Sequence, residues 1–410
     1  MRIANLLRQL VGLEYTRAIN CEFTDDALVV DVAPTWRSPR CSGCGRTCRG
    51  YDRGRGRRWR HLDGAGIKFY LRYDTRRVDC PRCGVVVEYV PWADVGVWFT
   101  RPFEDQVGYL AQQSSKTAVS KQMRVAWTTV GDIIQRVVKR HQPAGALDGL
   151  THIGIDELSY RRHHEYVTVV VDHIRARIVW ARKGKSAATA REFFDDLGAD
   201  RTAALKAVTI DMSTAYITAV SEAAPAAQLV FDRYHVQRLA HDALDQVRRA
   251  EVRELAPVER KDLKGTRWLL HKNPWNLTGL EREKLTALPR ANRRLFRAYL
   301  LKEALAGILD GRQVHVARRK LGEWISWARR SRLAPFHRLA ATIRDHQDGI
   351  LAYVRSRLSN ARTEALNGKA RTITRRAYGL HSAAALIALL RLCCSGIHLE
   401  PVTLRPGSTH

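Results

Sequence analysis

The chain has 410 residues, of which 45% are hydrophobic, so it can bury one large core or several smaller ones and is not a mainly disordered protein. Its 69 Lys and Arg outnumber its 41 Asp and Glu, which gives a formal net charge of +28 spread along the chain. An excess of this size indicates several surfaces that face a polyanion, and DNA or RNA is the natural candidate.

The sequence shows no sign of export or membrane insertion. The N-terminal stretch is amphipathic and has no small-residue cleavage site after a long apolar core. The most apolar stretch, residues 383–392, contains Arg391 and is shorter than the roughly 20 residues that a membrane span needs. We therefore expect a cytoplasmic, nucleoid-associated protein with no membrane partner.

Two CxxC pairs stand out in the first hundred residues, CSGC and CPRC. Two residues between thiolates let both sulfur atoms face one point, and two such pairs complete a tetrahedral shell for one structural Zn²⁺. The 35 residues between the pairs alternate as strands do, which predicts a hairpin beneath the cluster. The predicted ligands are Cys41, Cys44, Cys80 and Cys83; Cys48 or His61 could replace one of them, and free buried thiols are the alternative.

The pattern then changes to helix, with candidates at residues 103–112, at 117–123 and from 128 onward. Three short helices joined by tight turns are typical of a helix-turn-helix unit, although a plain helical linker would show the same periodicity. In the DNA-binding interpretation, the segment WTTVGDIIQRVVKRH is the recognition helix. Its predicted DNA contacts are Thr128 and Thr129 near the N-terminus and, toward phosphates, Arg136, Lys139 and Arg140.

From residue 152 three β-branched strands are followed by helix, strand, helix, strand and a long helix. This order predicts an α/β fold with a ribonuclease-H-like core, because few folds begin with a meander and then switch to crossover units. An arginine-rich, all-helical insertion interrupts that core. The expected domains are a zinc-binding domain at 1–100, a helix-turn-helix domain at 101–148, the first part of the core at 149–241, the helical insertion at 242–348 and the last part of the core at 349–400.

Three carboxylates are candidates for a metal-dependent active site. In a ribonuclease-H-like sheet the first strand is central and the strand after the first helix lies beside it, so Asp156 and Asp211 should meet. The helix that packs across them must supply a third carboxylate, and Glu364 fits, because it is the only acid between residues 349 and 399 among eight Lys and Arg. Such a cluster predicts two divalent ions, Mg²⁺ or Mn²⁺, about 3.5 to 4 Å apart.

Two other aspartates compete for the second position. Asp172 closes a strand antiparallel to the first and should lie at the opposite end of the sheet. Asp232 ends a strand one place further out, about 5 Å more distant from Asp156. We therefore prefer Asp211. Its alternative role is the N-cap of the helix that follows it, and the alternative for Glu364 is a surface ion pair with Arg or Lys.

These residues resemble those of the ISL3 family of bacterial insertion-sequence transposases, which carry a DDE catalytic triad. The resemblance covers nearly the whole chain and rests on CSGC, CPRC, GIDE, IDMSTAY, FDRYHV and SNARTEALNGKAR. It implies that Asp156, Asp211 and Glu364 bind metal and that Asp232 and His235 form an auxiliary D-x-x-H element. For His235, a histidine held within a helix-cap network is an equal alternative. DNA-phosphate contacts are then expected from the basic residues around the glutamate, namely Arg362, Lys369 and Arg371.

The resemblance implies a DNA transposase that binds the ends of its element through the zinc and helix-turn-helix modules and then cuts and joins DNA by metal-assisted phosphoryl transfer. Its expected partners are double-stranded DNA, as terminal repeats and as target, and at least a second copy of the chain, because synapsis joins two ends. The alternatives are a catalytically silent DNA-binding regulator derived from such an enzyme and a ribonuclease-H-like nuclease without joining activity.

Overall fold

A computed structural model describes residues 7, 9, 11–64, 66–161, 165–254, 265–358, 361–376 and 382–402. Within these ranges, the side chains of residues 160, 161, 361–364, 367 and 374 lie outside the description. The chain divides into two compact units, one of Met1–Gln142 with Ile397–His410 and one of Pro143–Gly396. None of the helices described is both long enough and apolar enough to cross a membrane.

The first unit begins with a five-stranded sheet. Its strands are β1 (Thr16–Thr24), β2 (Ala27–Pro34), β3 (Arg49–Gly64), β4 (Ile67–Cys80) and β5 (Gly84–Val87). The strand order is β1-β2-β4-β3, and β5 pairs with the C-terminal end of β4. Strands β3 and β4 form the hairpin that the alternating pattern predicted between the cysteine pairs. Buried side chains, including Val30, Trp59, Leu71 and Trp92, fill the core of this sheet.

Three helices follow the sheet at the positions that the periodicity predicted. They are α1 (Arg101–Gln113), α2 (Lys116–Met123) and α3 (Trp127–His141). The hydroxyl groups of Thr100 and Ser115 cap α1 and α2 by accepting hydrogen bonds from backbone N–H groups in the first turn of each helix. Arg124 adopts a left-handed conformation, with φ of 53°, and ends α2 so that α3 can begin in a new direction.

The second unit contains the other sheet. Its strands are β6 (His152–Arg161), β7 (Glu165–Asp172), β8 (Arg177–Lys183), β9 (Ala207–Ile210) and β10 (Gln228–Phe231), in the order β10-β9-β6-β7-β8. Strand β7 is antiparallel to β6 and β8, whereas β9 and β10 run parallel to β6. The crossovers contain α4 (Ala187–Leu197), α5 (Ala199–Ala203) and α6 (Thr214–Ala223). The first strand is therefore central and β9 lies beside it.

A helical segment follows the sheet. It consists of α7 (Arg233–Glu254), α8 (Thr266–His271), a 3-10 turn (Pro274–Asn276), α9 (Gly279–Ala291), α10 (Arg293–Asp310), α11 (Val314–Arg330), α12 (Ala334–Asp345), α13 (Gln347–Ser356), α14 (Ala361–Arg376) and α15 (Ala383–Cys394). One hydrophobic cluster runs from Leu150, just before β6, to Val354 in α13. Helix α13 packs on β10 so closely that a Cβ atom on Gly349 would collide with the ring of Phe231. The helical segment therefore shares its core with the sheet.

Candidate active site, zinc cluster and DNA-binding surface

The register of two neighbouring parallel strands, β6 and β9, places Asp156 and Asp211 side by side. Strands β6 and β9 are in register through Ile153 with Val208 and Gly154 with Thr209. Asp156 and Asp211 each lie two residues beyond the second of these pairs, and neighbouring strands are about 4.8 Å apart. The Oδ1 atom of Asp211 accepts a hydrogen bond of 2.9 Å from the backbone N–H of Ser213, the N-cap residue of α6, so this carboxylate closes a turn just before the helix.

Asp232 occupies the next position in the same row. Phe231, the last residue of β10, pairs with Ile210, and the backbone N–H of Asp232 donates to the carbonyl oxygen of Ile210 at 3.2 Å. Asp232 is 2% exposed. It is thus one strand further from Asp156 than Asp211 is. The half-buried side chain of His235 lies one turn into α7, with its ring edge-on to Tyr234 at 5.5 Å between centroids.

Asp172 lies away from this row, as the strand directions predicted. Its cross-strand partner on β6 is Ile153, three residues before Asp156. Its carboxylate accepts hydrogen bonds from the backbone N–H groups of Ile174 at 2.8 Å and Arg175 at 3.2 Å, and it also pairs with the Arg175 guanidinium. Asp172 therefore closes the turn between β7 and β8.

A fourth carboxylate, Glu157, was missed by sequence reasoning although it stands in the GIDE motif. Burial raises the pKa of Glu157, a hydrogen bond with the hydroxyl group of Tyr216 lowers it, and the charges of Asp211 and Asp156 raise it further. Tyr216 is 1% exposed, and its hydroxyl lies 3.1 Å from Oγ1 of Thr168, the cross-strand partner of Glu157. The GIDE and IDMSTAY motifs contain both residues, but their sequence spacing gives no hint of this contact.

Glu364 lies in the first turn of α14, and the side chains of Glu364 and Arg362 lie outside the described residues. Helix α14 packs against β6, the strand that carries Asp156, and against α15. Lys369 and Arg371 are exposed on α14. The Nζ atom of Lys369 donates to the carbonyl oxygen of Cys393 at 2.6 Å, so this lysine also ties α14 to α15.

The structure brings Cys41, Cys44, Cys80 and Cys83 together, with their sulfur atoms all within 4.8 Å of one another. Gly45 and Gly84, each directly after a pair, adopt φ of +70°, which favours glycine. The backbone N–H groups of Arg82 and Cys83 lower the pKa of Cys80 to about 6, which favours the thiolate form that binds zinc. Four converging thiolates fit a tetrahedral zinc ion.

Of the two alternative zinc ligands, His61 has other partners, whereas Cys48 also packs against the cysteine cluster. The Sγ atom of Cys48 donates to the carbonyl oxygen of Arg46 at 3.4 Å. His61 is 4% exposed, and its ring nitrogens contact the Thr100 hydroxyl at 2.8 Å and the carbonyl oxygen of Val11 at 3.1 Å. Burial lowers the pKa of His61 to about 4, so it is a neutral core histidine that joins the sheet to α1.

The predicted DNA contacts of α3 differ in their exposure. Its exposed residues are Thr128, Asp132, Gln135 and Lys139, whereas Thr129 is half-buried. Arg136 donates to the carboxylate of Glu104 at 2.6 Å. Arg140 pairs with Glu104, with Asp105 at 2.9 Å and with Asp94 at 3.0 Å. Both guanidinium groups are therefore paired with carboxylates within the first unit, and their contact with DNA phosphates stays a prediction.

A buried lysine supports the start of α3. Lys116, the first residue of α2, is 6% exposed, and its ammonium group lies 3.4 Å from the ring centre of Trp127. Burial lowers the pKa of Lys116. A Cβ atom on Gly131 would lie 2.8 Å from this ammonium group, so glycine leaves room for the contact. The turn between α2 and α3 is thus packed, as expected for a helix-turn-helix unit.

Comparisons with known proteins agree over both units. Residues 153–390 match a family described as "Transposase", residues 88–138 match the helix-turn-helix domain of transposase family ISL3, and residues 37–83 match the zinc-finger of transposase IS204/IS1001/IS1096/IS1165. The transposase for insertion sequence element IS1557 of Mycobacterium tuberculosis (strain ATCC 25618 / H37Rv) is 39% identical over 431 residues, which cover 97% of this chain and 96% of that one. The transposase for insertion sequence element IS1001 of Bordetella parapertussis is 29% identical over 381 residues, covering 91% and 94%.

Proposed function

This chain belongs to the ISL3 family of insertion-sequence transposases, which are DDE enzymes, and from this premise we propose that Asp156, Asp211 and Glu364 are its catalytic carboxylates. The observation that carries the proposal is the register of β6 with β9. It places Asp156, on β6, beside Asp211, which directly follows β9. The packing of α14 against β6 supports the third assignment, because it brings the helix that contains Glu364 to the strand that contains Asp156.

The core that holds these residues is, in our proposal, ribonuclease-H-like. Three features support it: a central first strand, an antiparallel meander on one side, and two parallel strands reached by helical crossovers on the other. In such a sheet, the residues that directly follow β9 and β10 lie beside Asp156, at the C-terminal ends of these two parallel strands. The fold thereby explains why carboxylates that are 55 residues apart in sequence can act together.

Carboxylate oxygens are the ligands that Mg²⁺ prefers, so this donor set fits Mg²⁺ or Mn²⁺ better than Zn²⁺. When bound, two such ions would activate the attacking oxygen and stabilise the leaving oxygen of a phosphoryl transfer. Asp156, Asp211 and Glu364 would hold them, and Asp232 with His235 would orient groups at the margin of the site. The basic side chains of α14, Arg362, Lys369 and Arg371, would hold the DNA backbone against the carboxylates.

Two successive phosphoryl transfers then occur at one site. Water first attacks the phosphodiester at the element end and leaves a 3′-hydroxyl group. That hydroxyl next attacks a phosphodiester of target DNA, displacing a 3′-oxygen and forming a new bond, with no covalent bond to the protein. The total number of phosphodiester bonds is conserved in the second step, so joining needs no external energy source.

The first unit recognises the element ends. Cys41, Cys44, Cys80 and Cys83 would hold one structural zinc, and the exposed face of α3, including Thr128 and Lys139, would face the major groove with Thr129 at its edge. The partners are double-stranded DNA ends and target DNA. A second copy of the chain is required for synapsis of two ends, and we propose a homodimer or a larger assembly.

Glu364→Gln tests the site directly, with Glu222→Gln as the matched control, because Glu222 is an exposed helical glutamate of the same unit. A labelled element end, either uncut or pre-cleaved, is mixed with target DNA and Mg²⁺, and cut and joined products are measured. We expect Glu364→Gln to keep folding and DNA binding but to lose joining and cleavage, and Glu222→Gln to behave as the unchanged protein. Depletion of free Mn²⁺, followed by its paramagnetic resonance signal, gives a second readout that does not depend on turnover.

The same assay separates the alternatives. A silent regulator binds the ends and yields neither cut nor joined DNA. A nuclease yields cut DNA from an uncut end but no joined product from the pre-cleaved one. Full activity of Glu364→Gln would refute the assignment of the third carboxylate.

A further inference from the structure

An arginine-rich groove crosses the sheet of the first unit. It has a volume of about 680 Å³, and five arginines against two aspartates line it, together with Trp36 and Tyr73. The arginines come from three strands and one loop: Arg17 from β1, Arg53 from β3, Arg72 and Arg76 from β4, and Arg37 from the loop after β2. The catalytic and helix-turn-helix assignments use none of these residues.

Two of the five arginines are fixed by carboxylates. Arg72 donates to Asp31 at 2.6 Å and also pairs with Glu22. Arg76 pairs at 2.8 Å with Glu88, which is 2% exposed. These ion pairs hold the floor of the groove in place.

The other three arginines are exposed. Within the described part of the chain, no ion pair involves Arg17, Arg37 or Arg53. Arg53 moreover lies directly opposite Arg76 in the β3–β4 hairpin, and Arg58 lies directly opposite Arg72. Like charges that face each other across strands are destabilising unless an anion lies between or beside them.

The width of the basic surface indicates a polymer as its ligand. From β1 to β3 there are three strand spacings, or about 14 Å. A single small anion cannot contact arginines over this distance, whereas a duplex presents one negative charge per about 1.7 Å of its axis.

We propose that this groove, through Arg17, Arg37 and Arg53, is a second DNA site that binds the phosphate backbone of a duplex without regard to sequence. The inference deepens the proposed function, since it gives the zinc-bearing sheet a DNA contact of its own beside the helix-turn-helix unit. It also accounts for Arg53, which faces Arg76 across the hairpin while Glu88 neutralises only Arg76, because DNA phosphates supply the negative charge that Arg53 lacks.

The test measures binding of the full-length protein to a fluorescein-labelled duplex of random sequence over a series of NaCl concentrations. The variant is Arg17→Ala, Arg37→Ala and Arg53→Ala combined. The slope of log affinity against log salt should become less steep by about 0.9 for each phosphate that the variant no longer neutralises, close to three units in all. The same drop is expected on a duplex that carries the element end.

The triple Arg→Lys variant at the same positions is the matched control, since it keeps the charges and should keep most of the slope. Zinc content and the unfolding midpoint verify that each variant folds. Where the triple Ala variant fails to fold, the single changes Arg17→Ala and Arg53→Ala serve instead, each with an expected drop of about 0.9.

An unchanged slope in the Ala variants overturns the inference and leaves an acidic protein segment as the ligand to seek. The inference is also overturned if the salt slope falls only on the element-end duplex. An equal fall of the slope in the Arg→Lys variant overturns it as well. The proposed function fails separately: full salt dependence on random DNA without metal-dependent cleavage would refute the catalytic assignment and leave the groove in place.

Discussion

Arg136 donates from its Nε atom to Oε1 of the buried Glu104 at 2.6 Å, and this ion pair turns one edge of α3 toward α1. Glu104 has a side chain that is only 1% exposed, and Arg140 contacts the same carboxylate one turn later. A carboxylate at this depth needs a positive partner, because a buried unpaired charge is strongly destabilising. The two arginines therefore stabilise the helix-turn-helix unit.

The first prediction separates stability from DNA binding on the same helix. Arg140→Ala removes one of two cationic partners from both Glu104 and Asp105 and should lower the free energy of unfolding by about 2 kcal/mol. Lys139→Ala removes an exposed charge and should leave stability within about 0.5 kcal/mol while weakening binding to all duplexes. Urea unfolding and duplex-binding titrations provide the two measurements. Equal stability of both variants would contradict this account of α3.

Sequence patterns reveal local structure here better than they reveal partners. The CxxC spacing and the strand alternation are local, and they predicted both the convergence of the four sulfur atoms and the β3–β4 hairpin. Helical periodicity correctly predicted the buried face of α3, with Val130, Ile133, Ile134 and Val137 inside. It could not show that Arg136 borders that face, because the partner carboxylate of Glu104 lies 32 residues earlier.

The same limit applies to the candidate active site. The order of strands sufficed to predict that Asp156 and Asp211 share one end of the sheet and that Asp172 lies at the other. Glu157 escaped notice because its environment depends on Thr168 and Tyr216, which belong to another strand and a helix. Periodicity predicts that residues 347–356 form a helix, but it cannot show that this helix, α13, covers β10.

The second prediction concerns zinc. Purified protein should contain one zinc per chain, and Cys80→Ser should release it, because Cys80 lies within the four-sulfur cluster and is 2% exposed. The first unit should then unfold, since structural zinc supplies much of the folding free energy of such small modules. Metal analysis with a chromogenic chelator checks this result. Cys21→Ser and Cys48→Ser are the controls, and loss of zinc in Cys48→Ser would add that thiol to the shell.

The third prediction concerns pH and rests on two neighbouring histidines in the second unit. The rings of His241 and His271 are 4.8 Å apart, next to the buried Lys302. Burial lowers the pKa of His241 to about 4, with smaller contributions from Lys302 and His271. Burial also lowers the pKa of His271, against the attraction of Asp245 and together with the repulsion of Lys302, Arg267 and Arg248.

The unfolded chain takes up these protons near pH 6.5, whereas in the folded chain His241 resists protonation until the pH approaches 4 and the pKa of His271 is also lowered. Stability due to the neutral pair is therefore complete above about pH 6.5 and is lost as the pH falls. Because His241 is only half-buried, solvent screens part of the penalty, and we expect a loss of about 1–2 kcal/mol by pH 5. Urea unfolding followed by helical circular dichroism at pH 7 and pH 5 measures it.

The control for the histidine pair is His337→Gln, since His337 is exposed on α12. That variant should keep the pH dependence, whereas combined His241→Gln and His271→Gln should reduce it. If the double variant showed the same difference in the free energy of unfolding between pH 7 and pH 5, other groups would be responsible for the pH dependence.

The last prediction ranks two aspartates that both lie level with Asp156. Asp211 follows β9, which is adjacent to β6, and Asp232 follows β10, which is one strand further out. At about 4.8 Å per strand, Asp211 is one spacing from Asp156 and Asp232 is two, or nearly 10 Å. Asp156 and Asp211 can therefore share two ions that are about 3.5 to 4 Å apart more readily than Asp156 and Asp232 can.

Asp211→Asn should therefore slow cleavage of an element-end duplex by about a thousandfold, which corresponds to about 4 kcal/mol of transition-state stabilisation. Asp232→Asn should slow it by about ten- to a hundredfold, as expected of a residue that orients a ligand rather than binds the metal itself. Single-turnover cleavage rates at saturating Mg²⁺ measure both, with duplex affinity as the check on folding. If Asp232→Asn proved as severe as Asp211→Asn, the second metal-binding carboxylate would have to be reassigned, and the register between β9 and β10 makes Asp232 the residue to which it would move.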